Sequence, residues 1–206
     1  MPLEIERKFL VKGPFVLPKT ASKILQGYLP DNAELSLDGD FLVIRPLPGS
    51  VAAPTVRLPV GEHRSAIQHG VINAIGRRVL RIRIEEGQPP IFCMKVDLKG
   101  VTVRTEVELE VPELDAMYLV QTCREKTLRK TRYRIPFEGN VWELDVYADP
   151  FNGLLTAEIE LKHEKELFVV PPWVGEEVTH HPEFSNRALA EAQRTPQFAL
   201  DFQKRD

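Results

Sequence analysis

Like-charged residues separated by one position recur along the sequence, and they are the side chains best suited to chemistry. The pairs are Glu4/Glu6, Glu158/Glu160 and Arg81/Arg83. In an extended strand such neighbours lie about 7 Å apart on one face, so they repel unless an opposite charge lies between them. Carboxylate pairs hold hard cations such as Mg²⁺ or Mn²⁺, and guanidinium pairs hold phosphate groups. The pairs therefore predict that metal ions and a polyphosphate bind together.

These residues belong to segments in which charged and apolar side chains alternate with the period of a β-strand. The segments are 3–11, 79–84, 91–96, 103–111, 128–135, 141–147 and 156–161. Their charged phase holds acids at Glu4, Glu6, Glu106, Glu108, Glu143, Asp145, Glu158 and Glu160, and bases at Lys8, Arg81, Arg83, Lys95, Arg104, Lys130 and Arg132. One such strand alone favours a sheet with one face in water. Seven such segments, which together carry both signs of charge and doublets of like charge, favour strands closed around a water-filled, charged interior, because a dry interior does not tolerate so many ions.

The connections and helices complete an α+β fold that is mainly antiparallel β-sheet. Short connections at 85–90 and 137–140 predict hairpins. Helices are predicted at 112–125, which Pro112 opens, and at 185–194, where Ser185 is the N-cap.

Residues 31–78 interrupt this regular pattern and are rich in proline and glycine. They contain two short β-like runs, 41–45 and 55–60, and we predict an inserted loop or extra hairpin. A separate second domain is disfavoured, because a segment of about 50 residues with little apolar content forms too small a core. The chain is therefore predicted to be one domain over 1–206.

The overall composition limits the classes of partner. Hydrophobic residues make up 43% of the chain, and the net charge of −3 gives no bulk attraction to nucleic acid. Cys93 and Cys123 have no metal-binding spacing and predict reduced thiols. No apolar run approaches the roughly 20 residues that span a membrane. We predict a cytoplasmic protein that binds a small-molecule polyphosphate or organic triphosphate, without nucleic-acid or membrane partners; a homodimer is left open.

A series of motifs follows in order over most of the chain. They are Glu4-Ile-Glu6-Arg-Lys8, Gln26-Gly-Tyr-Leu, Arg81-Ile-Arg83, Met94-Lys95, Arg104-x-Glu106-x-Glu108, Lys130-Thr-Arg132-Tyr133, Trp142-Glu143-Leu-Asp145, Gly153-Leu-Leu-x-Ala-Glu158-Ile-Glu160-Leu, Pro172-Trp-Val-Gly-Glu-Glu-Val-Thr179 and Phe184-Ser-Asn186-x-x-Leu189. The first resembles the E-x-E-x-K signature of the CYTH, or triphosphate tunnel metalloenzyme, superfamily, and the order of the others is similar too. The 31–78 segment departs from that pattern, which has a short loop there.

The resemblance implies an eight-stranded antiparallel barrel closed around a charged tunnel, with a few peripheral helices. It implies metal ligands at Glu4, Glu6, Glu158 and Glu160, with Asp145 completing or steering that site and Glu108 as a further contact. It implies phosphate ligands at Lys8, Arg81, Arg83, Lys95, Arg104, Lys130 and Arg132. Catalytic roles fall to Lys8, Glu4, Glu6 and Asp145, and Lys8 either helps to activate water or stabilises the oxyanion.

The substrate implied by the resemblance is inorganic tripolyphosphate, hydrolysed to pyrophosphate and phosphate with Mg²⁺ or Mn²⁺. Three alternatives stay open. A class IV adenylyl cyclase would need a nucleoside pocket, and a thiamine triphosphatase would need an aromatic or acidic site for the thiamine cation. A non-catalytic polyphosphate-binding module could lose the metal carboxylates, and the complete acidic set argues against it.

Overall fold

The computed structural model of the protein divides the chain into two compact units. The described residues are 5–13, 15–49, 53–72, 77–97, 105–124, 126–151, 153–163 and 165–203. The unit that we call the central unit contains Gln26–Thr127. The other, the terminal unit, contains the described residues up to Leu25 and those from Leu128 onward.

Most of the described secondary structure is β-strand, which confirms the predicted mainly antiparallel α+β class. The strands are β1 Ile5–Val11, β2 Ser22–Tyr28, β3 Glu34–Asp38, β4 Phe41–Arg45, β5 Val56–Pro59, β6 Arg77–Glu85, β7 Ile91–Asp97, β8 Thr105–Glu110, β9 Thr127–Phe137, β10 Asn140–Tyr147, β11 Leu155–Leu161 and β12 Val174–Glu177. The helices are α1 Arg64–Ile67, α2 Glu113–Thr122, α3 Asn186–Ala192 and α4 Gln197–Gln203, with short 3-10 turns at Gly61–His63 and Pro182–Phe184 and a π-helical turn at Gln68–Ile72. None of the described helices has the length and apolar character needed to cross a membrane.

Each of the seven alternating segments contains a strand, β1 and β6 to β11. Both predicted helices are present but shorter than predicted. The helix predicted at 112–125 is α2, Glu113–Thr122, and Pro112 is its N-cap and not its first helical residue. The turn between β9 and β10 has positive φ at both Glu138 and Gly139 (46° and 81°), which suits the twist of a two-residue hairpin. The predicted C-terminal helix is α3, and the Ser185 hydroxyl accepts a hydrogen bond from the Ala188 amide at 3.2 Å.

The terminal unit is organised around one antiparallel sheet in the order β12-β1-β11-β10-β9. The apolar phase of these strands forms a core that includes Phe9, Trp142, Leu144 and Ile159. The rings of Phe9 and Trp142 lie 5.6 Å apart in this core. Because side chains alternate across a strand, the charged phase lies on the opposite face.

The central unit contains two antiparallel arrangements, β6-β7-β8 and β3-β4-β5. The two short strands predicted at 41–45 and 55–60 are β4 and β5, and the structure adds β3 beside them. Apolar residues of the 31–78 segment, among them Leu42 and Ile44, are fully buried in one cluster with Ile82 and Phe92. This segment therefore contributes to the core of the central unit.

The predicted closed barrel requires the strand order to return to its starting strand. β2 is divided between the units, with Leu25 in the terminal unit and Gln26 in the central unit. Among the described residues, the strand order does not return to its first strand within either unit. Closure into eight strands and the single domain over 1–206 therefore stay predictions.

Candidate functional site

The charged phase of the terminal sheet forms one continuous surface, which we call the Lys8 face. Its members are Glu6, Lys8, Lys130, Arg132, Arg134, Glu143, Asp145, Glu158 and Glu160. The register places acids opposite bases at three positions of two strand pairs: Lys8 opposite Glu158 in β1–β11, and Arg132 opposite Asp145 and Arg134 opposite Glu143 in β9–β10. Opposite charges at paired positions stabilise a sheet, so the charge pattern and the register support each other.

Asp145 is the centre of the Lys8 face and has no exposed surface. Arg132 binds it with two nitrogens, Nε to Oδ1 at 2.7 Å and Nη2 to Oδ2 at 2.6 Å. Lys130 forms a further ion pair and hydrogen bond with Oδ2 of the same carboxylate. Two bases therefore hold Asp145, as a buried carboxylate requires.

Glu158 joins the first strand to this centre. Its Oε1 lies 2.7 Å from Lys8 Nζ, and its Oε2 accepts a hydrogen bond from Arg132 Nη2 at 2.7 Å. Arg132 also donates through Nη1 to Glu143, so each of its three guanidinium nitrogens contacts a carboxylate. Lys8, Lys130 and Arg132 are thus matched by Glu143, Asp145 and Glu158 in a connected network.

The network shifts the pKa values of its members in different directions. Burial favours neutral Glu158, but Lys8, Lys130 and Arg132 attract its charge and hold the pKa of this carboxyl well below its usual range. Burial likewise opposes the charge on Lys8, yet Glu158 and other neighbours leave the pKa of Lys8 raised. For Lys130, burial together with repulsion from Arg132 and Lys8 outweighs Asp145, and its pKa is lowered.

The edge of the Lys8 face is exposed and acidic. Glu6 of β1 lies directly opposite Glu160 of β11, and both are exposed. Like charges at paired positions destabilise a sheet, and a cation between them removes that penalty. Arg134 lies on the same face and contacts Glu143, with Nε to Oε1 at 3.1 Å.

The central unit carries a second charged surface, which we call the Arg81 face. Its described members are Arg81, Arg83, Glu85, Cys93, Lys95, Glu106, Glu108 and Glu110. Glu108 Oε1 lies 3.2 Å from Arg81 Nη2 and 3.8 Å from Arg83 Nη2, and Lys95 Nζ lies 2.8 Å from Glu106 Oε2. The Glu108 side chain is 41% exposed, so these charges remain partly open to solvent.

A free cysteine lies in the middle of the Arg81 face. Cys93 pairs with Arg81 on one side and Glu108 on the other, and its Sγ donates to Glu106 Oε1 at 3.0 Å. Ligand atoms of Cys93, Glu106 and Glu108 lie within 4.8 Å of one another, so these residues could hold a metal ion. Burial raises the pKa of the thiol to about 12, so it stays protonated at neutral pH. Of these three groups, the carboxylates of Glu106 and Glu108 are the ligands that a hard cation such as Mg²⁺ prefers.

The structure brings most of the predicted site residues onto these two faces. Lys8, Lys130, Arg132, Asp145, Glu158, Glu6 and Glu160 lie on the Lys8 face, and Arg81, Arg83, Lys95 and Glu108 lie on the Arg81 face. Glu4 and Arg104 lie outside the described residues. Sequence analysis gave no role to Cys93 or Tyr147. Both share the charged phase of their strands, with Lys95 and Asp145 respectively, and that shared phase was the available signal.

The chain was compared with known proteins at three levels. No model of a known protein family matches it. It is 39% identical over 87 residues to an inorganic triphosphatase of Acetivibrio thermocellus, an alignment that covers 42% of this chain and 56% of that protein. It is 33% identical over 103 residues to an inorganic triphosphatase of Nitrosomonas europaea, which covers 48% of this chain and 68% of that protein.

A solved structure agrees over a longer part of the chain. The crystal structure of the inorganic triphosphatase NE1496 matches with a TM-score of 0.55 and 26% identity, over 92% of this chain and 95% of that one. The motif order, the two charged faces and the likeness to these proteins lead to one assignment. The chain belongs to the CYTH-like family of the inorganic triphosphatases.

Proposed function

We propose that this chain hydrolyses inorganic tripolyphosphate to pyrophosphate and phosphate with the help of Mg²⁺ or Mn²⁺. The observation that carries the proposal is the pairing of acids with bases over one face of each sheet, which suits a polyanion and its cations together. The names of the two relatives support the same reaction. Since the aligned part covers only 56% of the Acetivibrio protein, activity and substrate are proposed for this chain and not transferred to it.

The Arg81 face supports phosphate binding. Its described bases Arg81, Arg83 and Lys95 lie beside the acids Glu106, Glu108 and Glu110 of the same face. Two guanidinium groups present planar donors that match phosphate oxygens. Partial exposure lets an anion approach them without breaking a buried network, so we assign phosphate binding to these three bases.

The acidic edge of the Lys8 face supports cation binding. Glu6 and Glu160 are paired, exposed and of like charge, which fits a divalent ion held by carboxylate oxygens. Glu158 lies next to them on the same face, and Glu106 and Glu108 offer oxygens on the Arg81 face. Bound there, Mg²⁺ or Mn²⁺ would neutralise charge that develops on the phosphate oxygens. Asp145 is enclosed by Arg132 and Lys130, so we propose that it steers the site.

Lys8 supplies charge to the reaction in this proposal. Its raised pKa and its contact with Glu158 keep the ammonium protonated at neutral pH. A protonated lysine stabilises negative charge on a phosphate oxygen and does not accept a proton from water. Of the two roles that the sequence left open, we therefore propose stabilisation of the oxyanion. Closure of a tunnel, a cytoplasmic location and the absence of other partners stay predictions.

The test is phosphate release from tripolyphosphate, thiamine triphosphate and ATP, each with Mg²⁺, Mn²⁺ or a chelator, and with a parallel measurement of cyclic AMP. We expect kcat/KM to be highest for tripolyphosphate, because the described residues provide phosphate-binding groups on both faces and Trp142, a possible base platform, is buried in the core. Cyclic AMP as the main product from ATP would favour a cyclase instead.

Two matched lysine variants show whether the measured phosphate release comes from this chain or from a contaminating phosphatase. Lys8→Gln should lower kcat by about 100-fold, as expected for the loss of a charge placed at the reacting oxygens. Lys12, one residue beyond β1, is exposed, and Lys12→Gln should leave kcat unchanged. Equal activity of the two variants would contradict the assignment of the Lys8 face.

A further inference from the structure

The segment that follows β12, residues 178–186, contacts the Lys8 face through a backbone carbonyl. Lys8 Nζ donates a hydrogen bond to the Phe184 carbonyl oxygen at 3.1 Å. Lys8 Nζ also lies 2.7 Å from Glu158 Oε1. The Phe184 carbonyl and the Glu158 carboxylate are therefore two separate contacts that fix the direction of the ammonium group.

Two residues further on, a side chain fixes the same segment to the sheet. Asn186 Oδ1 accepts a hydrogen bond from the Tyr147 hydroxyl at 2.6 Å. The Tyr147 hydroxyl is the donor, because an amide oxygen only accepts hydrogen bonds. Phe184 itself is fully buried, and its ring lies 6.1 Å from that of Phe198. The position of the Phe184 carbonyl thus depends on ring packing and on the Tyr147–Asn186 hydrogen bond.

Tyr147 also contacts the buried bases of the Lys8 face. It is the last residue of β10, is buried, and lies opposite Lys130 in the β9–β10 register. Lys130 Nζ lies 5.7 Å from the centre of the Tyr147 ring, within the range of a cation–π contact. Tyr147 therefore contacts Lys130, belongs to the same strand as Asp145, and hydrogen-bonds to the segment whose Phe184 carbonyl binds Lys8.

We propose that Tyr147 and Asn186 are positioning residues, whose hydrogen bond holds the Phe184 carbonyl where it orients the Lys8 ammonium. The expected change in kcat rests on the proposed triphosphatase function. The orientation of the Lys8 ammonium group does not depend on that function. A lysine ammonium has three N–H donors, and fixing one on a carbonyl restricts the directions of the other two. Without the Tyr147–Asn186 bond, Lys8 keeps its charge and its contact with Glu158 but loses the fixed carbonyl that restricts its orientation.

The test uses variants that remove one hydrogen-bonding group each. Tyr147→Phe and Asn186→Ala should each lower kcat for tripolyphosphate by about tenfold, the change expected from one lost hydrogen bond. KM should stay within about threefold, because the charge that attracts the substrate is unchanged. The double variant should be no worse than the poorer single one, since both remove the same bond. Asn186→Asp keeps an acceptor oxygen and should retain activity.

A second measurement follows Lys8 directly. In protein with ¹⁵N-labelled lysine, the Lys8 ammonium signal, identified by its loss in Lys8→Gln, should broaden or disappear in Tyr147→Phe and Asn186→Ala. Tyr133 packs against the apolar core on the opposite side of the sheet, so Tyr133→Phe is the matched control and should change neither the signal nor kcat. Melting temperatures of all variants show whether they fold.

The outcomes separate this proposal from the proposed function. An unchanged Lys8 signal and wild-type kcat in both single variants would overturn the positioning role, as would an equal loss of activity in Asn186→Asp and Asn186→Ala. If the wild-type chain hydrolyses no triphosphate, the proposed function fails, while the Lys8 signal still decides whether the Tyr147–Asn186 bond orients this ammonium.

Discussion

The Lys8 face and the Arg81 face are built by the same sequence pattern but differ in burial. On the Lys8 face, Lys8, Lys130 and Arg132 are all buried and their charges are matched by three carboxylates. On the Arg81 face, Arg83 and Lys95 are partly exposed and Glu108 is substantially exposed. Alternation in a strand therefore places a charge on a face, but does not decide whether that charge is buried.

The difference in burial indicates that the two faces have different roles. A buried ion pair adds little net stability but is costly to break, because the remaining partner is left as an uncompensated charge. The interior of the Lys8 face is thus suited to holding groups in fixed positions. The pairs of the Arg81 face are partly open to solvent, and the Glu108 side chain is 41% exposed. Solvent weakens such pairs, and a fully exposed pair is worth about 0–1 kcal/mol, so they exchange partners at a lower cost than the buried pairs of the Lys8 face. The Arg81 face is suited to releasing its internal pairs when an anion binds.

The largest expected effect is on stability. Asp145→Asn keeps the shape of the side chain but leaves Arg132 and Lys130 without their central carboxylate. We expect a loss of about 3–5 kcal/mol in the free energy of unfolding, measured by chemical denaturation. Glu108→Gln makes the same chemical change on the Arg81 face and should cost less than about 1 kcal/mol. Equal losses would show that the two faces do not differ in the way that their burial indicates.

The next largest effect is expected on kcat, and it tests whether the acidic edge of the Lys8 face differs from other exposed acidic residues. Glu160→Gln removes a hard anionic ligand and should lower kcat by about 100-fold at limiting Mg²⁺, with partial recovery at high Mg²⁺. Its stability should not fall, because the repulsion from Glu6 is relieved. Glu176→Gln changes an exposed glutamate on β12 and is the control for net charge. Similar losses in the two variants would count against a cation at the Glu6/Glu160 edge.

A smaller effect is expected from the open bases of the Arg81 face. Arg83→Gln should raise KM for tripolyphosphate by about tenfold through the loss of one charged hydrogen-bonding group, with little change in unfolding free energy. Arg57 is an exposed arginine of the same unit and pairs with Asp38 at 2.7 Å, so Arg57→Gln is its matched control. A large loss of stability without a change in KM would assign Arg83 to the framework instead.

Most strands were predictable from the sequence because their signal is local. Alternation over a few residues located β1 and β6 to β11, and the same phase placed Lys95, Asp145 and Glu158 on charged faces. The short strand β3, Glu34–Asp38, was missed, because its apolar residues occur within a segment dominated by proline and glycine signals.

The sequence did not reveal which acids meet which bases. Lys8 and Glu158 are 150 positions apart, and only the β1–β11 register brings them together. Arg132 was predicted to bind phosphate, yet its guanidinium contacts three carboxylates, a network that depends on the pairing of β9, β10 and β11. The burial of each charge also depends on strand pairing, because nothing in the local sequence distinguishes the buried Asp145 from the partly exposed Glu143. Long-range pairing, which a single sequence does not display, decides the role of each charge.

The smallest expected effect concerns Cys93, which tests whether the Arg81 face binds metal through sulfur. The pKa of about 12 leaves the thiol protonated at neutral pH, and its hydrogen bond to Glu106 needs a donor, which serine also supplies. Cys93→Ser should therefore change kcat and the Mg²⁺ dependence by less than about twofold, because a protonated thiol ligates a hard cation poorly. Slow reaction of Cys93 with a thiol reagent in the native protein would agree with its burial. A large loss of metal affinity in Cys93→Ser would instead make the thiolate a ligand, and the Arg81 face would then be a metal centre in its own right.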